Sequence, residues 1–283
     1  MDIRTFTAHR TTVATATGEI AYTELGDGPA ALFIHGLGTS GAFWRHAIEQ
    51  LAGTTRCVAV DLPGHGGTPA RADLSVAAMA EMATELSDAL GLGQLDLVGN
   101  DTGGAVAQVF AARNPERLRT FTLTNCDTDG NFPPPEFAPV IEVARQHMLA
   151  ESIVAIVSDP AAWRTSPLAA EFEHPERIPD EVWREYLLPL GATIDRARVF
   201  ERILTSLNPA DLTVINGALA ALDVPTMIVW GTGSAPFGIE WAYKLRDAIR
   251  GATGVIEVES AKTFFPEERP ADLVPHLRTH WGR

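Results

Sequence analysis

The stretch Leu95-Asp96-Leu97-Val98-Gly99-Asn100-Asp101-Thr102-Gly103-Gly104 constrains this chain more than any other. An apolar, strand-type run meets a glycine-flanked acidic residue and passes without a spacer into Ala105 to Ala112, which has helical character. A strand that becomes a helix within so few residues must hold its central residue in a tight, strained turn. Glycines on either side remove side chains that would strike the adjoining strand and helix. Asp101 is thus expected at a strand tip, with a helix N-terminus directly behind it that favours the ionised form. An ionisable group is a poor choice for packing at such a point, so Asp101 reads as a functional residue.

The rest of the chain supplies a matching frame. Val13 to Thr17 and Ile20 to Glu24, separated by Gly18, predict an antiparallel hairpin. Further short, apolar and β-branched runs follow at Ala30 to Ile34, Cys57 to Val60, Phe121 to Thr124, Met227 to Trp230 and Val255 to Val258, as strands buried on both faces require. Between Asp73 and Leu90, Met79, Met82, Leu86 and Leu90 recur at helical spacing, with Asp73 as the expected N-cap and Gly91 as the stop. Such alternation implies right-handed crossovers and a mostly parallel sheet covered by helices. It lapses between about residues 131 and 222, where helical segments follow one another without a convincing strand. The expected organisation is therefore a core from residues 1–130 and 223–283 with a helical cap, 131–222, standing over the carboxyl ends of the strands.

Composition narrows the partners. With 22 basic against 36 acidic residues, the net charge of −14 repels nucleic-acid phosphates and anionic lipid at long range. The start lacks a basic stretch followed by an apolar one, and no run of 18 apolar residues occurs, so a cytoplasmic location is the default expectation. Cys57 and Cys126 fall in strand-type runs and read as buried, reduced thiols. The glycines around Asp101 do not have dinucleotide-binding spacing and there is no His/Cys cluster, so neither a cofactor nor a metal is expected. The expected partner is a small apolar organic molecule, with a homodimer left open.

Three further motifs complete the pattern. His35-Gly36-Leu37-Gly38 follows the third strand, Asp61-Leu62-Pro63-Gly64-His65-Gly66 the fourth, and Asn114-Pro115-Glu116-Arg117 precedes the sixth. In this order they resemble the α/β-hydrolase superfamily, and in particular its aspartate-nucleophile branch of haloalkane dehalogenases, epoxide hydrolases and fluoroacetate dehalogenases. The resemblance implies an eight-stranded, mostly parallel sheet with helices on both faces and an inserted helical cap. It also implies Asp101 as nucleophile and the backbone N–H groups of Leu37 and Thr102 as anion or oxyanion donors. In such enzymes the carboxylate forms an ester with carbon, a histidine activates the water that hydrolyses it, and a second acid orients the histidine. Here the corresponding acid position is Ser234, the alternative acid position is Asn125 and the histidine position is Thr263; no histidine lies between His174 and His276.

Asp127 or His147 would have to supply the missing groups in a hydrolase, although acidic residues near Gly130, such as Asp127 and Asp129, also suit a turn. His35 and His65 read as scaffold residues of their turns, with His35 near enough to count among the pocket candidates; His174, like His147, belongs to the cap. Phe132, Trp163, Trp183, Tyr186 and Phe237 are the large rings expected to line an apolar pocket, while Trp44 and Trp230 are expected to pack in the core. Without the histidine, ester hydrolysis lacks its general base. The leading expectation is thus an enzyme using Asp101 as general acid/base for isomerisation, elimination or cyclisation. The alternatives are a dehalogenase or epoxide hydrolase with a displaced base, and a non-catalytic ligand-binding protein.

Overall fold

The computed structural model describes residues 1–283 and contains a single eight-stranded sheet. Its strands are β1 (Arg10–Thr15), β2 (Gly18–Leu25), β3 (Ala30–Ile34), β4 (Arg56–Val60), β5 (Leu95–Asp101), β6 (Leu118–Cys126), β7 (Thr226–Gly231) and β8 (Ala252–Val258). They lie in the order β1-β2-β4-β3-β5-β6-β7-β8. The β1–β2 and β2–β4 pairs are antiparallel and all the others parallel. Because the chain steps from β3 to β4 on one side and then to β5 on the other, the order reverses between β3 and β5. A crevice opens at such a switch point, outside the carboxyl ends of the strands. Ile34 pairs with Gly99, so the segments that follow β3 and β5 emerge side by side there.

Alternation within the strands builds two cores. Leu32 and Ile34 of β3 and Val58 and Val60 of β4 join the cluster that includes Met79, Met82, Leu86 and Phe110. Ala31, Phe33, Cys57 and Ala59 face the other way, toward Trp44, Ile48 and Phe265. Every residue of β3 and β5 is buried; β3 is accordingly apolar throughout, while the polar residues of β5 are Asp96, which accepts from Arg119 and Thr120, and Asn100 and Asp101 at its tip. Trp44 and Trp230 pack inside this framework, and both cysteines are free and buried.

One helix start differs from expectation. The helix carrying Met79 and Met82 runs Val76–Ala89 with Ser75 as its cap. Asp73 instead accepts the Ser75 N–H at 2.9 Å, forming the turn that leads into the cap. Aspartate is equally suited to either role, so spacing alone did not separate them.

Between β6 and β7 the elements are helical, the longest being Asp180–Gly191 and Ile194–Ser206. Charged side chains clip this segment to the sheet layer. Arg10 bridges Asp61 of the core and Glu185 of the helical segment, and Ser40 donates to Glu185 at 3.0 Å. Buried Arg45 meets Glu267 at 2.8 Å and Tyr186 at 3.3 Å, while the Tyr186 hydroxyl also donates to Glu267. No helix is long and apolar enough to cross a membrane.

Candidate active site

Asp101 occupies the turn from β5 into the helix Thr102–Arg113 with φ 53° and ψ −134°. A non-glycine residue held there costs on the order of 1–3 kcal/mol, which the surrounding packing must offset. The neighbouring glycines make the turn sterically feasible. A Cβ on Gly103 would stand 2.2 Å from the His35 carbonyl oxygen, and one on Gly104 would stand 2.3 Å from the Cys126 Cβ. The helix is thereby drawn close against β3 and β6, and its first N–H groups lie beside the aspartate.

The loop after β3 completes this corner. The Leu37 N–H donates to Asp101 Oδ2 at 2.8 Å, and the Thr102 N–H also favours the ionised carboxyl. Two neutral histidines hold the loop. His35 Nε2 accepts from the Leu62 N–H at 2.9 Å, so its Nδ1–H is left to donate to the Gly36 carbonyl at 2.7 Å. His65 Nε2 accepts from the Gly38 N–H at 3.3 Å, with its Nδ1 at 3.1 Å from the Pro63 carbonyl. Burial pushes His65 down to about 4 and His35 well below its usual value, which keeps both as acceptors at Nε2. His35 is therefore a scaffold residue and not part of the cavity wall.

Asp101 has acidic company and no cationic partner. Thr102 Oγ1 donates at 2.8 Å to Asp127 Oδ2, while Asp127 Oδ1 is buried without a hydrogen-bond partner. Burial raises the Asp127 carboxyl to about 7. Burial first, then Asp127 and Glu171, push Asp101 well above the ordinary carboxylate range, against the lowering effect of the two N–H groups. The pair titrates as a unit, so near neutrality it retains a proton. Asp129, by contrast, is occupied outside the site by Thr213 at 2.7 Å and Asn216 at 2.8 Å.

A cavity of about 180 Å³ opens over Asp101. Fourteen of its 20 lining residues are hydrophobic, and no arginine, lysine or histidine is among them. Of the expected rings, Phe237 lines it; the others are used elsewhere. Phe132 belongs to the core under the sheet. Trp163 donates to the Val157 carbonyl, Trp183 packs on Phe172 at 5.3 Å, and Tyr186 is committed to Arg45 and Glu267. His147 is exposed and His174 pairs with Glu176, so neither faces the cavity. The wall is instead made by smaller residues of the helical segment, such as Ile153, Leu168 and Leu204, with Phe200 and Phe264.

Ser234 and Thr263 meet, as their assigned positions in the motif demand: their hydroxyls are 2.8 Å apart. Asn125 is locked to β7, exchanging hydrogen bonds of 2.9 and 2.7 Å with the Gly231 carbonyl and N–H. The residue that sequence reasoning missed is Glu171, whose carboxyl reaches the cavity and accepts from Thr263 Oγ1 at 2.5 Å. Seventy residues separate it from Asp101, and no periodicity or motif distinguishes it from the acidic residues around it.

The raised Asp127 carboxyl has a measurable cost. An unfolded aspartate titrates near about 3.9, so its charge destabilises the fold progressively as pH rises from about 4 to about 7, and the loss is constant above that. Asp127→Asn retains an oxygen for Thr102 without the charge. It is expected to stabilise the protein by about 1–3 kcal/mol at pH 8 and by little at pH 4. Urea unfolding at the two pH values checks this; a variant less stable than the parent at pH 8 would contradict it.

A family model described as the alpha/beta hydrolase fold matches residues 29–268. The chain belongs to that family. It is 25% identical over 281 residues to haloalkane dehalogenase 2 of Mycobacterium tuberculosis, a match covering 94% of this chain and 92% of that protein. A shorter stretch of 106 residues is 39% identical to an uncharacterized protein of Mycobacterium tuberculosis; the match takes in 37% of this chain and spans only 31% of that relative's length. Among solved structures, a haloalkane dehalogenase from Bradyrhizobium elkani superposes with a TM-score of 0.81 at 23% identity, covering 96% of this chain and 97% of the other.

Proposed function

We propose that this protein is a cofactor-independent enzyme that uses Asp101 as general acid and base in the isomerisation, elimination or cyclisation of a small, apolar substrate. The observation that carries this reading is the pair of hydroxyls, Ser234 and Thr263, standing 2.8 Å apart where the resemblance calls for an acid and a histidine. Neither hydroxyl is a general base near neutral pH. Loss of general-base help typically slows a step by roughly 100- to 10,000-fold, so an ester on Asp101 would be a trap and not an intermediate. Proton transfer needs no such second stage.

In this mechanism the Leu37 and Thr102 N–H groups steady the carboxyl while it exchanges a proton with the substrate. Burial without a countercharge raises Asp101 well above the usual carboxylate range, so it enters the reaction protonated and is strongly basic once ionised. The apolar wall excludes water that would compete for the proton. A wall without a basic side chain also disfavours anionic substrates.

The test is to offer neutral ketones, alkenes, epoxides and haloalkanes in deuterated water and follow products by mass spectrometry. The expected result is deuterium at carbon in a product with no water or hydroxyl added. Release of halide or diol with an ester on the Asp101 peptide would support the second reading, a dehalogenase- or epoxide-hydrolase-like reaction, which the amide-held carboxyl and the dehalogenase relative favour. Tight saturable binding without conversion would instead support a ligand-binding protein.

A further inference from the structure

We propose that Glu171 is the second catalytic group of this site, supplied by the helical segment and positioned by a chain of hydroxyls that stands in for the missing histidine and its acid. The inference rests on the reading of Asp101 as a proton-transfer residue. Its structural basis is a directed run of hydrogen bonds. The Phe237 N–H donates to Ser234 Oγ at 3.2 Å, and with the Thr263 hydrogen spent on Glu171 the Ser234 hydroxyl donates to Thr263 Oγ1, 2.8 Å away. Thr263 in turn donates to Glu171 Oε2 at 2.5 Å. Each dipole points its positive end toward the glutamate, and a charge-assisted bond ends the chain.

Glu171 is also fixed in position. It closes the short helical turn Pro167–Glu171, and its carbonyl accepts from the Phe264 N–H at 3.1 Å. On either side, Lys262 Nζ donates to the Ala170 carbonyl at 2.9 Å, and the Glu173 and His174 N–H groups donate to the Glu268 carboxylate at 2.7 and 2.8 Å. The segment bearing Glu171 is thus stitched to the loop after β8, from which Thr263 also comes. Such fixation exceeds what a solvent-facing glutamate requires and suits a group that must meet a substrate at a set position.

Asp101 and Glu171 line one cavity; the Glu171 charge adds to burial in raising the proton affinity of Asp101, while burial, and to a smaller extent Glu136, raises that of Glu171 against the Thr263 hydroxyl and Lys262. With one proton between them they form an acid/base pair. Asp101, as the acid, gives its proton to one atom of the substrate. Glu171, as the carboxylate, removes a proton from another atom, and the bonding pair released there forms the new double bond. One proton enters and one leaves, nothing is oxidised, and the next proton exchange restores both carboxyls.

The experiment uses the full chain and 1,2-epoxy-3-(4-nitrophenoxy)propane, a neutral, apolar probe that requires a carboxylate and a carboxylic acid together. The carboxylate oxygen bonds to the terminal epoxide carbon, the ring carbon–oxygen bond breaks, and the second carboxyl gives its proton to the released alkoxide. Probe consumption and peptide masses are followed across the pH range. The expected result is reaction at Glu171 with a bell-shaped pH profile, slowed at least about 100-fold in both Glu171→Gln and Asp101→Asn. Thr263→Val, which removes the donor to Glu171, should move the acidic limb of the bell to higher pH, and Thr263→Ser should restore it. Thermal unfolding checks that each variant folds. Alkylation of Asp101 in Glu171→Gln at the parent rate would overturn the role of Glu171 while leaving that of Asp101 intact. Reaction independent of Asp101, or no reaction at either carboxyl, would overturn the pairing, the former taking the Asp101 reading with it.

Discussion

Asp101→Asn is expected to lower turnover by at least about 100-fold while leaving the protein as stable as the parent or more so. Asparagine keeps the shape of aspartate and an oxygen to accept from the Leu37 N–H, so the turn between β5 and the following helix has no reason to change. What it loses is the exchangeable proton and the ability to ionise beside Asp127 and Glu171. Burial and those like charges oppose that ionisation, so its loss does not weaken the fold, which separates a catalytic defect from a folding one. Initial rates together with urea unfolding read the two effects independently. Near-normal turnover in a folded Asp101→Asn protein would contradict a direct role for this carboxyl.

The largest effect on stability is expected at Arg45. This guanidinium is buried with Glu267 at 2.8 Å and Tyr186 at 3.3 Å, joining the helix Arg45–Leu51, the turn Phe265–Glu268 and the helix Asp180–Gly191. Arg45→Met fills similar volume but strands the Glu267 carboxylate, whose only other charged or hydroxyl partner is Tyr186. Breaking a buried pair from one side costs about 3–5 kcal/mol. The double replacement Arg45→Met with Glu267→Leu removes both charges and should recover most of that loss. Urea unfolding of the single and double variants forms the test; an Arg45→Met protein within about 1 kcal/mol of the parent would show that the network carries little.

How much of this was legible in sequence follows from how local each signal is. Strands buried on both faces must be short and apolar, and a strand turning directly into a helix must have glycines beside its central residue, so the sheet and the position of Asp101 were readable. Ser234 and Thr263 were found by counting along the motif, and their hydroxyls meet. The cavity wall was not readable, because any amphipathic helix has large rings that can face either the cavity or the layer beneath. Trp163, Trp183 and Tyr186 took the second course, the first two engaging other residues of the helical segment and the third a buried ion pair. Glu171 was hidden for a different reason: its role arises from contact with a loop 92 residues further on, and no local pattern encodes that distance.

The central claim, that Asp101 exchanges protons without forming an ester, is tested most directly by oxygen exchange into the protein. When an ester is hydrolysed by water attacking its carbonyl carbon, one oxygen of the solvent water remains in the carboxyl. The enzyme is therefore taken through many turnovers in water enriched in oxygen-18, and the peptide containing Asp101 is weighed. The account predicts an unlabelled Asp101 carboxyl after complete conversion of substrate; oxygen-18 accumulating in that carboxyl with turnover would contradict it.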